Sequence, residues 1–68
     1  MEALNKVKAH CENTIVEVEN DIRRIGFTRV DSLRLGQQVE AFHIVKLITG
    51  EDEEAILKRL GFEVKSES

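Results

Sequence analysis

Leu4, Val7, Cys11, Ile15, Val18, Ile22 and Ile25 follow one another at steps of three or four residues, which places them on one face of a helix. The spacing stays close to a heptad, as in a short coiled coil that packs along a partner helix. Lys8, Glu12, Glu19 and Arg23 fall elsewhere on the wheel, and Val16 widens the stripe. The pattern predicts a helix over about residues 2–25. Arg23 and Arg24 sit where positive charge meets the negative end of the helix dipole, and Gly26 is suited to close the last turn. Phe27 is then expected to fold back over the stripe. The same arrangement returns later, because Ile22-Arg23-Arg24-Ile25-Gly26-Phe27 reads almost like Leu57-Lys58-Arg59-Leu60-Gly61-Phe62. Six residues point to one stop signal used twice rather than to an internal repeat.

Residues 27–36 carry no clean period and read as a connector. Val30, Leu33 and Leu35 are expected to reach the core, with Asp31 or Ser32 capping a short helical turn. From Gln37 to Thr49 helix and strand propensities are close, so periodicity decides. Glu40, His43 and Lys46 fall on one arc of a wheel with Gly36 and Gly50, leaving Ala41, Phe42, Ile44, Val45 and Ile48 on the other. A helix over 37–49 follows. Thr49 reads as the N-cap of a third helix, over about 51–60, with Asp52 reaching back to it as in a capping box. Its apolar side is Ala55, Ile56, Leu57 and Leu60, and residues 65–68 are expected to fray.

The expected architecture is therefore all-α: one small domain over residues 1–68, of three helices with a long first one, and short strands near 28–31 and 62–65. The competing architecture is α+β, in the order αββαβ, with 28–35 and 38–48 as a hairpin and 62–65 as a third strand.

Sixty-eight residues bury a small share of their surface, so such a domain needs support from packing, metal, disulfides or a second copy. One cysteine, Cys11, excludes an internal disulfide and agrees with a reducing compartment. No run of 18 apolar residues and no apolar stretch behind a basic N-terminus is present, so neither a membrane span nor a signal peptide is expected, and the location expected is cytoplasmic.

His10, Cys11 and His43 are the soft metal ligands, but their spacing has no zinc form, and adjacent His10 and Cys11 point about 100° apart on a helix. Cys11 is expected to be a core thiol, with both histidines facing solvent. No nucleophile–base pair, carboxylate pair or phosphate loop stands out, so neither an enzyme nor a cofactor is expected.

Net charge is -3, with the acids concentrated after residue 50. A nucleic-acid binder shows the opposite bias. Read as a helix-turn-helix, the chain would send Glu51, Asp52, Glu53 and Glu54 toward the phosphates. Those four acids complement a helix N-terminus or face a basic partner. The arginines Arg23, Arg24, Arg29 and Arg34 carry the alternative reading, a nucleic-acid-binding regulator.

The long apolar stripe exceeds what two shorter helices cover. The sequence therefore points to a small regulator or adaptor that binds another protein. It would act as a homodimer through Leu4, Val7, Cys11, Ile15, Val18, Ile22 and Ile25, with the acids of 51–54 and the four arginines setting specificity.

Overall fold

The computed structural model describes residues 2–64, and in it the N-terminal stripe is wound into α1, Glu2–Ile25. A 3-10 turn, Phe27–Arg29, leads to α2, Ser32–Thr49, and a short link leads to α3, Glu53–Arg59. Among the described residues there is no strand. The architecture is all-α. Both the αββαβ alternative and the short strands near 28–31 and 62–65 are overturned, since the first of these regions holds the 3-10 turn and residues 62–64 have no regular structure. Residues 65–68, expected to fray, lie outside the described residues.

α1 and α2 form an antiparallel hairpin: Asp21 pairs with Arg34, while Glu19 Oε1 accepts from Gln38 Nε2 at 2.9 Å. From α1, Cys11 and Ile15 join Ala41, Phe42 and Val45 of α2 and Ile56 of α3 in one apolar cluster. Ile15, Val45 and Ile56 have no exposed surface.

α2 begins at Ser32, five residues before the expected start at 37. Asp31 makes this start, its side chain accepting from Leu33 N at 2.9 Å. The cap was foreseen for a short turn only, because the apolar pattern beyond it is misleading. Val30 is buried as expected and Leu35 is half-buried, but Leu33 is 69% exposed.

α3 begins at Glu53 rather than 51. The Thr49 hydroxyl closes α2 instead, donating to the Val45 carbonyl at 2.8 Å and accepting from Glu51 N at 3.1 Å. Gly50, with φ 75°, ends α2 in the left-handed conformation, so the backbone turns before it coils again. Asp52 is the cap, accepting from Ala55 N at 2.8 Å.

The two glycine stop signals close differently. After α3, Phe62 N donates to the Leu57 carbonyl and Gly61 N to that of Lys58, the paired bonds of a Schellman motif. After α1, Gly26 N donates to the Ile22 carbonyl at 2.9 Å, and Gly26 takes φ 93°, ψ 146°. That region is nearly closed to residues with a Cβ. It throws the chain outward, so Phe27 does not return to the stripe and stays 62% exposed.

Two alanine substitutions should therefore move stability in opposite directions, read by urea unfolding. Gly26→Ala is expected to cost about 1–3 kcal/mol, all of it conformational, since no atom lies within 4 Å of the added Cβ. Gly36→Ala, in the exposed interior of α2 with equally open space, should stabilise by about 0.5–1 kcal/mol.

Candidate functional site

The buried row of α1 divides its remaining surface into two sides. On one side Glu12 meets Arg59 of α3 and Arg23 meets the segment that follows it. Arg59 Nη2 stands 2.6 Å from Glu12 Oε2 and 2.8 Å from Glu51 Oε1, and Arg59 Nε donates to both Glu51 oxygens at 3.0 Å. Glu12 Oε2 is buried with no partner in hydrogen-bond geometry, so its compensation is the ionic contact with Arg59 and with Lys8 Nζ at 3.4 Å. Further along, Arg23 donates from Nε to Glu19 Oε2 at 2.9 Å and from Nη2 to the Glu63 carbonyl at 2.7 Å. Its guanidinium also lies 5.0 Å from the centre of the Phe62 ring. This side is covered.

The other side of the hairpin is bare. An open groove of about 370 Å³ runs between α1 and α2, walled by His10, Thr14, Gln37 and Glu40, with Cys11, Ala41 and Ile44 along its apolar part. Toward the free end of the hairpin, Leu4 and Val7 of α1 are 47% and 45% exposed, and Leu47 of α2 is 73% exposed. At the hairpin tip, Ile25, Phe27 and Leu33 are exposed as well. Leu33, Glu40 and Leu47 recur at heptad spacing and share one stripe of α2.

The seven stripe residues therefore separate into two sets. Cys11, Ile15 and Val18 are buried within the chain and Ile22 is half-buried, whereas Leu4, Val7 and Ile25 remain exposed. Leu33 and Leu47 belong to the bare surface and were missed. Their signal is present, as apolar residues on the same stripe as Glu40, but Glu40 makes that stripe look polar in the sequence.

The charged candidates are largely spent inside the chain. Glu51 holds Arg59, Asp52 caps α3 and Glu54 Oε1 lies 3.1 Å from Lys58 Nζ, which leaves Glu53 without a polar side-chain partner among the described residues. Arg24 and Arg34 share Asp21, and Arg23 is held as above. Of the four arginines, Arg29 alone has no acid beside it among the described residues.

Cys11 is buried, and that desolvation, reinforced by nearby Glu40 and Glu12, pushes its thiol above the ordinary value. The thiol is therefore protonated at neutral pH and a weak nucleophile. His10 lines the groove while His43 faces out beside Lys46 and Glu53, so the two histidines are on different surfaces. No group of three metal-ligating side chains occurs among the described residues, nor is any helix there long and apolar enough to cross a membrane. No protein-family model, curated protein or solved structure matches the chain.

Hydrogen bonds from Arg24 hold the Asp21 carboxyl below its ordinary range, and those from Arg59 do the same for Glu51. A carboxyl lowered in the folded state contributes stability that is present above its unfolded value, roughly 4, and lost as pH falls through the folded value. Wild type should accordingly exceed Glu51→Gln in stability at pH 6. The gap should close as pH falls from about 4 toward 2, as measured by urea midpoints across that range.

Proposed function

We propose that this chain is a non-enzymatic, protein-binding regulator or adaptor that works as a homodimer, assembled through the bare face of the α1–α2 hairpin. The observation that carries the reading is the distribution of cover. α3 and residues 60–64 shield one side of the hairpin, while Val7, Ile25, Phe27, Leu33 and Leu47 stay exposed around the other; of the exposed large apolar side chains among the described residues, Val39 alone lies away from them, beside Phe42, His43 and Glu53. Large apolar side chains gathered on one surface mark an interaction site, and a small domain commonly completes its core across a twofold axis. The assembly face is thus shared between the helices rather than being the stripe of α1 alone.

The protonated, buried Cys11 suits a reducing, cytoplasmic setting and offers no nucleophile. Contacts to a further protein would draw on Glu53 and Arg29, the members of the acidic and basic groups left without any polar side-chain contact among the described residues. The nucleic-acid reading is the weaker one, since Arg23 is paired with Glu19 while Arg24 and Arg34 are both held by Asp21. Phosphate binding needs cations free to release counterions.

Sedimentation equilibrium tests the assembly. Wild type is expected to dimerise reversibly, and Leu47→Glu to weaken the dimer by roughly 100-fold, because a twofold interface loses two leucines worth about 1.5 kcal/mol or more each. The variant should keep its helical circular dichroism, as Leu47 makes little use of the monomer's core. Wild type that sediments as a monomer at millimolar concentration overturns the proposal.

A further inference from the structure

We infer that residues 51–64 are a strap, hinged at Gly50, which releases as one unit from a hairpin that stays folded and so uncovers Ile15 and Val45 on the side away from the groove. The inference does not depend on self-association.

Strap and hairpin lean on each other unequally. Among the described residues, Ile56 is the strap's one buried apolar side chain, with Leu57 and Leu60 half-buried against the same cluster. The hairpin and the connector between its helices supply every other buried one, Val18 and Val30 among them. The hairpin also has polar ties of its own, Asp21 to Arg34 and Glu19 to Gln38, which the strap does not touch. The backbone hydrogen bonds of the strap close within it, from Ile56 N to the Asp52 carbonyl through Phe62 N to that of Leu57, and none of those described reaches the hairpin. Its release therefore leaves the hairpin's own helical bonds whole. Gly50 is the joint: it holds a left-handed φ of 75°, with no atom within 4 Å of where a Cβ would stand. An element held by few buried apolar contacts opens locally, at less cost than global unfolding.

The ionic ties are built to part. Arg59 reaches from the strap to Glu12 of α1 at 2.6 Å, and Arg23 reaches from α1 to the Glu63 carbonyl at 2.7 Å. Each of these charged groups has a second partner on its own side: Arg59 keeps Glu51, Arg23 keeps Glu19, and Glu12 keeps Lys8 at 3.4 Å. A buried charge stripped of its partner makes opening costly, and here none is stripped. Opening also brings water to Glu12 Oε2, which is buried without a hydrogen-bond partner while the strap is closed. The cover over Ile15, Val45 and Ile56 is what holds the strap shut.

Native-state hydrogen exchange of the full chain at low urea tests the release, because a helix as short as α3 melts once it leaves the hairpin and its amides exchange. The amides of Ile56, Leu60 and Phe62 should share one protection factor, about tenfold or more below those of Ile15 and Val45, with a shallower urea slope. Gly36→Ala separates release from global unfolding, since it stabilises α2 in open space remote from the strap. It should slow exchange at Ile15 and Val45 by about two- to fivefold and leave Ile56, Leu60 and Phe62 unchanged. Equal slowing of both sets overturns the inference, because the strap then opens only with the whole chain. Protection that grades from Phe62 down to Ile56, the mark of fraying, overturns it as well. Should Gly36→Ala leave the hairpin amides unchanged, the wild-type urea slopes decide by themselves: two slopes support the strap, and one slope for every amide rejects it.

Discussion

Ile15, Val45 and Ile56 come one from each α-helix, and water reaches none of them. Burying each such side chain is worth about 1.5–3 kcal/mol, so this junction is where the short α3 gains the cover that its seven residues do not supply. A helix of that length is marginal by itself in water. Arg59 adds the polar half of the attachment, joining α3 to Glu12 of α1 and to Glu51 of the preceding link. Both halves act on the same side of the hairpin.

The functional reading follows from that one-sidedness. A 24-residue helix and an 18-residue helix present two long surfaces, and a seven-residue helix with a short tail dresses only one. What remains is an apolar surface with a polar middle. The internal ion pairs sharpen this picture, because they engage three of the four arginines and two of the four acids of 51–54 within the chain.

Part of the fold was legible because its signals are local. The apolar stripe of α1 needs no more than period and length, and its bounds came out as read. Both glycine stop signals also closed helices where expected. Capping was legible in kind but not in place. Thr49 and Asp52 are both good caps, yet the Thr49 hydroxyl is taken by the Val45 carbonyl at the close of α2, so Asp52 starts α3. The start of α2 was missed for a related reason: Asp31 was visible as a cap, but exposed Leu33 obscured the period that follows it.

The sequence by itself determined that the chain is helical, that its first helix is amphipathic and long, and where its glycines stop two helices. Spacing and backbone chemistry act within a few residues and need no partner. The division of the α1 stripe was decided only in three dimensions. Cys11, Ile15 and Val18 went to the chain's own core, while Leu4, Val7 and Ile25 were left outside it, because α2 and α3 reach only so far along α1. Tertiary structure also turned Leu33 and Leu47 outward and consumed Arg23, Arg24 and Arg34 in local pairs. Exposure and charge pairing depend on which surfaces meet, and no spacing along a single strand of text encodes that.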